Sequence, residues 1–459
     1  VPLGAGRFGA RSIIGPVTDL GTRPGRALRR AAPALLGYAA VRALGLLTLA
    51  LWSAARDKSA YTLLTARWDA LWYTRVAELG YGYEVRLPNG DVHSNLAFFP
   101  LLPWLERLLS ALTPLSYADA GFVVSLLASL AAAWGVFAVT DHLYGARAGV
   151  CAVLLWAVLP VGIVQSMAYS ESLFTALAAW SLYAVLTGRW VTAGLLASLA
   201  GLTRPVGLAV VAAVWVTGAA AFLRERRNRG ATATVAGERD RGEAEGRTYR
   251  RTRSAADPGG SRAVEHAPPP GTASMTGRAP DPEGALTPSH SPGVGAGVAL
   301  GMALAPLGTA AYVLWVGHRT GKGPLGYLDV QAGWRNGFDG GYAFARFIGD
   351  KFTSFPSALA GAGLIVGVAL IIRLYVLCVR QGQPLPLLVY AGVVTALALC
   401  ASSYFGSKPR LLMPAFPLLL PLALALARAK TRRSATVVAA VTVASALYGA
   451  FWLNGSGPP

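Results

Sequence analysis

The chain has 459 residues, 54% of them hydrophobic and only 14% charged, with a mean hydropathy of +0.46. That profile excludes an ordinary soluble enzyme and favours one membrane domain over several soluble ones. The net charge of +19 does not indicate nucleic acid, because the arginine clusters sit between apolar blocks, as the positive-inside rule expects.

Residues 1–30 are Gly- and Arg-rich and read as a disordered basic N-terminus, with Arg23, Arg26, Arg29 and Arg30 holding it in the cytoplasm. The first apolar block runs from about 31 to 52, and a long loop, 53–117, follows. Further blocks lie near 118–140, 147–165, 169–187, 190–203 and 205–223. Residues 224–294 are charged, then Pro/Gly/Ser/Ala-rich, and cannot bury enough apolar surface to offset their ordering entropy. They read as a disordered cytoplasmic linker. Blocks resume at about 295–316, 356–379, 385–402, 411–428 and 434–454. Most are of the order needed to cross ~30 Å of hydrocarbon at ~1.5 Å per residue, while those at 190–203 and 205–223 are short and, separated by "LTRPVG", form either two short helices or one long kinked one. The expected fold is therefore an all-α polytopic membrane protein with about 11 transmembrane helices (range 10–12), its long outer loop carrying interfacial amphipathic helices.

Charge sets the orientation. With the N-terminus inside, Arg147, Arg189, the Arg224–Arg229 cluster, Arg373, Arg380 and "RAKTRR" all fall on inner turns. The 53–117 loop, "QSMAYSES", Arg204, "GHRTGKGPLGYLDVQAGWRNG" and "SYFGSKPR" then fall outside, so the polar motifs share one face. Cys151, Cys378 and Cys400 lie in apolar segments without metal-ligand spacing and read as small buried hydrophobes. No cleavable signal peptide is expected.

Four stretches carry chemistry. In "TARWDALWYTRVAELGYGYE", a helix over 67–79 would place Trp68, Leu71, Trp72, Val76 and Leu79 on one apolar stripe in the membrane interface. Asp69 sits in its first turn beside Arg67, with Tyr73 one turn on. It reads equally as a helix N-terminal acid stabilised by the dipole or as a reactive group. In "HSNLAFFPLLP", His93 and Asn95 lead into a Pro-bounded apolar segment containing Phe99. In "MAYSESLF", Tyr169 and Glu171 stand at the outer mouth of a span, where the acid either marks the helix boundary or reaches into a cavity. Arg204 in "GLTRPVG", and Lys408 and Arg410 in "GSKPRLLMPAFP", oppose the positive-inside trend. Outer cations beside helix-breaking prolines suggest an anion site, a lipid phosphate being the natural anion at that depth, against ordinary snorkelling to the headgroups. There is no Walker A motif, no D-x-D pair in a loop and no H-E-x-x-H. No metal or other cofactor is expected.

Taken in order, "RWDALWYTRVAELGY", "HSNLAFFPLLP", "YSESLF", "GLTRPVG" and "SKPRLLMPAFPLLLPLA" resemble the GPI mannosyltransferase 2 family and its prokaryotic relatives, within the glycosyltransferase-C superfamily. The resemblance implies a membrane enzyme that takes mannose from a polyprenyl-phosphate-mannose donor. It would transfer the sugar to a hydroxyl of a membrane-associated acceptor on the outer face. It implies an acid of the first outer loop, here Asp69, as general base in an inverting single displacement. Arg204, Lys408 and Arg410 would bind the donor phosphate. Arg67, Trp68, Trp72, Tyr73, His93, Asn95, Phe99, Tyr169 and Glu171 would line the substrate site. Where eukaryotic members tend to carry a histidine shortly after "WDA", this chain has Leu71 and Trp72, which leaves the acceptor open among glycolipid, cell-wall glycan and protein. A transporter or lipid flippase, or a non-catalytic lipid-binding scaffold, are the competing readings, although no internal repeat of the transporter kind is found.

Overall fold

Residues 24–228, 293–402 and 404–455 are described by a computed structural model. They fall into two units, one made of residues 1–218 with 297–459 and the other of residues 219–296. The basic N-terminus and the linker expected over 224–294 lie largely outside the described residues. Where they are described they are helical: α1 (Pro24–Ala54) begins before residue 31, and α9 (Pro205–Asn228) runs past 224. Pro24 opens α1, where a missing N–H costs nothing. Arg30 then donates to both carboxylate oxygens of Asp141, at 2.7 and 2.8 Å.

The long loop after α1 is ordered. It contains α2 (Ala60–Thr65), α3 (Asp69–Leu79), the antiparallel hairpin β1 (Glu84–Arg86) and β2 (Val92–Ser94), and α4 (Leu101–Leu112). The membrane bundle continues with α5 (Tyr117–Tyr144), α6 (Ala146–Ala157), α7 (Ser170–Leu186), α8 (Trp190–Gly201) and α9. After residue 292 come α10 (Gly293–Leu304), α11 (Leu307–Thr320), α12 (Gly326–Gly333), β3 (Gly337–Phe338), α13 (Tyr342–Asp350) and α14 (Ser357–Arg380). The remainder is α15 (Leu385–Cys400), β4 (Ala401–Ser402, paired with β3), α16 (Lys408–Leu412), α17 (Leu420–Arg428) and α18 (Thr431–Leu453).

Every expected apolar block contains a helix, and the chain is an all-α, multi-pass membrane protein. Their lengths differ from expectation. Among the described residues, six helices are long and apolar enough to cross a membrane, and a pair bent by 75°, Phe405–Leu412 with Phe416–Arg428, makes up to seven. Four more, α6, α7, α8 and α15, are apolar but shorter than 18 residues. The block expected over 147–165 shows why. Pro160 disfavours helix at the residue before it and cannot donate to the preceding turn, so α6 stops at Ala157. A non-helical stretch with one 3-10 turn, Gly162–Ser166, joins it to α7. Irregular backbone at membrane depth is tolerated only when protein buries it, and every residue of 161–168 is buried here.

The core lies where α5 packs against α1, α4, α6 and α7. Tyr38, Trp156, Tyr169 and Phe174 fill it, with the Tyr38 and Trp156 rings stacked 5.5 Å apart. The three cysteines are free thiols, Cys151 and Cys378 buried.

One buried group has no place in that apolar scheme. Glu106 on α4 is fully buried, and neither carboxyl oxygen has a hydrogen-bond partner. It fits only because position 121 on α5 is glycine; a Cβ there would lie 2.5 Å from the Glu106 carboxyl. Burial pushes the Glu106 carboxyl well above the usual carboxylate range. The folded protein therefore keeps a proton that the unfolded chain releases. This contribution is fully present below the unfolded value and declines as pH rises toward the folded one. In detergent, thermal stability of the wild type should fall from pH 5 to pH 8 relative to Glu106→Gln, by up to about 1.4 kcal/mol per pH unit while the difference in protonation persists. Parallel melting curves for the two proteins would show that Glu106 ionises freely.

Candidate active site

Four charged side chains from four separate segments meet at the start of α3. Asp69 is the first residue of that helix, and its carboxylate lies 2.8 Å from Nη1 of Arg410 on α16. Nε of Arg410 is 3.2 Å from a carboxylate oxygen of Glu171, the second residue of α7. Arg204, just before α9, pairs with the same oxygen of Glu171. The contacts are charge pairings rather than aligned hydrogen bonds, since the Glu171 oxygens and the Arg410 Nε and Nη1 have no hydrogen-bond partner of good geometry. Two carboxylates against two guanidiniums leave the quartet neutral overall.

Its members are not equally accessible. The Glu171 side chain is 1% exposed, Arg410 9% and Arg204 13%, whereas Asp69 is 24% exposed. Asp69 is the acid that a solute can reach. Glu171 is the buried counter-ion that keeps two cations side by side.

Local sequence explains the arrangement. Trp68, immediately before Asp69, adopts φ +50°, a left-handed conformation costly for a residue with a side chain. The Arg67 guanidinium lies 4.2 Å over its ring. Helix α3 then buries Ala70, Tyr73, Val76 and Ala77, and leaves Leu71 and Trp72 half-buried and Leu79 exposed. The expected stripe of Trp68, Leu71, Trp72, Val76 and Leu79 is thus corrected. Of that stripe only Val76 is buried, and the buried face is instead made of Ala70, Tyr73, Val76 and Ala77, on a helix that packs against α4 and α5. The Tyr73 hydroxyl meets Ser170 Oγ at 2.7 Å, and Arg204 Nη1 reaches the same oxygen at 3.5 Å. Burial pushes the Tyr73 phenol up, so it serves as a neutral hydrogen-bonding group. Tyr169 lies under Arg410, its ring centre 5.1 Å from the guanidinium carbon.

Of the other candidates, Lys408, Asn95 and Phe99 lie elsewhere, and His93 reaches only the aromatic rim. Lys408 does not join the two arginines. Its ammonium donates to the Ala398, Leu399 and Ala401 carbonyls at 2.9, 3.4 and 2.9 Å, capping the end of α15. Asn95 is fully buried and ties the 80–82 turn, accepting from the Gly82 amide at 3.0 Å and donating to the Gly80 carbonyl at 2.9 Å. Phe99 packs on Tyr312 and Tyr327 in a separate small core. His93 stacks on Trp334 at 4.0 Å, and partial burial pulls its imidazole below the usual value.

Three residues that sequence reasoning passed over belong to the site or its rim. Ser170 bridges Tyr73 and Arg204. Phe98, rather than Phe99, stacks on Trp72 and meets the edge of Tyr73. Trp334 stands edge-on to Trp72 and Phe98 and donates to the Ser94 carbonyl at 3.0 Å. The signal for Phe98 was its adjacency to Phe99 after a turn. Trp334 lay in a polar loop to which pattern alone gave no role. Among the described residues, no group of three His, Cys, Asp or Glu side chains is placed to hold a metal ion.

A family model described as mannosyltransferase (PIG-V) matches residues 47–228, which carry Asp69, Glu171 and Arg204. The GPI alpha-1,6-mannosyltransferase 2 of Rattus norvegicus is 33% identical over 156 residues, 32% of this chain and 30% of the rat protein. That of Mus musculus is 33% identical over 155 residues, 31% of this chain and 29% of its own length. These matches span under a third of either relative. Among solved structures, ArnT from Cupriavidus metallidurans bound to undecaprenyl phosphate superposes with a TM-score of 0.45 at 13% identity, covering 90% of this chain and 63% of that one. Over its segment 47–228, the chain is similar to the mannosyltransferase (PIG-V) family.

Proposed function

We propose that this protein is a membrane mannosyltransferase. It moves mannose from a polyprenyl-phosphate-mannose donor to a hydroxyl of a lipid-linked, glycan or protein acceptor on the outer face. The observation that carries the reading is the quartet itself: one solvent-reached carboxylate beside two buried guanidiniums held by a second, inaccessible acid. Similarity to the mannosyltransferase (PIG-V) family over 47–228 supports mannose as the sugar, and the inner bias of arginine supports the outward orientation.

The chemistry follows from the charges. The acceptor oxygen attacks the anomeric carbon while its proton passes to Asp69. The new glycosidic C–O bond forms as the anomeric carbon–phosphate oxygen bond breaks, so one displacement inverts the centre. The departing polyprenyl phosphate gains a negative charge, which Arg204 and Arg410 stabilise. Two guanidiniums match a monophosphate by charge and geometry, so the proposal assigns no metal or other cofactor.

The test is transfer of labelled mannose from a short-chain polyprenyl-phosphate-mannose by purified protein in detergent, with a membrane extract as acceptor source. Labelled product should form and carry an inverted anomeric centre. Donor that binds but only crosses the bilayer intact in reconstituted vesicles would make the protein a transporter.

A further inference from the structure

Arg42 lies in the middle of α1, twelve residues past Arg30 and so about 18 Å along the helix from it. It is 7% exposed and has no carboxylate partner among the described residues. Its guanidinium donates through Nη1 to the Gly162 carbonyl and through Nη2 to the Ala157 carbonyl. Ala157 ends α6 and Gly162 opens the following 3-10 turn. A helix C-terminus carries partial negative charge and unsatisfied carbonyls, and here both are buried inside the protein. The α6 terminus therefore takes the place of an acid as counter-charge to Arg42, which in turn satisfies the broken backbone.

The same stretch is tied from other sides. Ser445 of α18 donates to the Leu159 carbonyl at 2.8 Å, and Gln165 donates to the Trp156 carbonyl at 2.7 Å. The Ala168 amide donates to Leu64 of α2 at 3.0 Å, and Ser125 of α5 donates to the Tyr169 carbonyl at 3.1 Å. Trp156 donates to the Met413 carbonyl at 3.1 Å, three residues beyond Arg410. Gly162 leaves no space for change: a Cβ there would lie 2.7 Å from the Ala157 carbonyl oxygen and 2.9 Å from Arg42 Nη2. At the far end of the stretch stand Ser170 and Glu171.

We propose that Arg42 is a positioning residue, which clamps the α6–α7 break in the shape that delivers Ser170 and Glu171 to the charged quartet. Its role in turnover rests on the mannosyltransferase reading; its role in holding the break does not. Lysine keeps the charge but has no planar fork to span two carbonyls.

The test is hydrogen–deuterium exchange on purified wild type, Arg42→Lys, Arg42→Met and Gly162→Ala, with steady-state transfer measured alongside. Amides 158–169 should exchange about tenfold faster in Arg42→Lys and faster still in Arg42→Met, with α5 and α12 unchanged. The turnover number should fall in the same order, with Lys milder than Met. If Arg42→Met does not fold, Arg42→Lys and Gly162→Ala carry the comparison. Unchanged exchange over 158–169 in the folded variants would overturn the clamp. An equal rise throughout the protein would make Arg42 a general stabiliser instead. Faster local exchange with an unaltered turnover number would remove its link to the site. Should the wild type itself transfer no mannose, the functional reading falls, and the exchange pattern still decides the clamp.

Discussion

Asp69→Asn should lower the turnover number for mannose transfer by about 10²–10⁴, the range for loss of a positioned general base, while the protein still binds its lipid-linked donor. Asparagine is nearly isosteric with aspartate and keeps a carbonyl oxygen that can face Arg410, so the fold around α3 should persist. It cannot accept the acceptor's proton. Removing one negative charge also shifts the quartet from neutral to a net +1, which favours an anionic donor. The KM for donor should therefore hold steady or fall as the turnover number collapses, the signature of a group needed in the transition state rather than for binding. Wild-type turnover in Asp69→Asn would remove the base assignment. Glu171 would be a poor replacement, because it is nearly inaccessible and committed to two arginines.

The outline of this site was legible in the sequence, but its pairing was not. Glu171, Arg204 and Arg410 each drew attention by standing at the end of an apolar block, and Asp69 by lying between two tryptophans of the long loop after the first block. Nothing local tells that the two acids and two arginines neutralise one another, because the pairs join residues far apart in the chain. Lys408 was grouped with Arg410 by adjacency, yet residues two apart on a helix do not share a face. One points to the end of α15 and the other to the quartet. Phe98 and Phe99 separate in the same way, one joining Trp72 and Tyr73 and the other Tyr312 and Tyr327. The apolar blocks were legible because hydropathy over a window survives small errors. The break after Ala157 was not anticipated, although Pro160 marked it. The rotation of α3 was missed because Ala70 and Ala77 are too small to signal a buried face by hydropathy.

Arg410→Lys should be almost as damaging as the loss of Asp69, and by a different route. Arg410 serves Asp69 through Nη1 and Glu171 through Nε, while its plane lies over the Tyr169 ring. A lysine ammonium is a single compact charge and cannot meet two acids on different helices while also stacking. Glu171 would then keep Arg204 alone, and the leaving phosphate would lose half of its cationic partners. The ratio kcat/KM for donor should fall by about 10²–10³, in line with removal of one preorganised electrostatic contact, and KM should rise, in contrast to Asp69→Asn. A double-mutant cycle separates the direct contact from the chemistry. Asp69 and Arg410 touch, so Asp69→Asn with Arg410→Lys should depart from additivity by more than about 0.5 kcal/mol in transition-state free energy. Strict additivity would mean that the two groups act independently, and that the neutral quartet is a consequence of packing rather than the means by which donor and base are coupled.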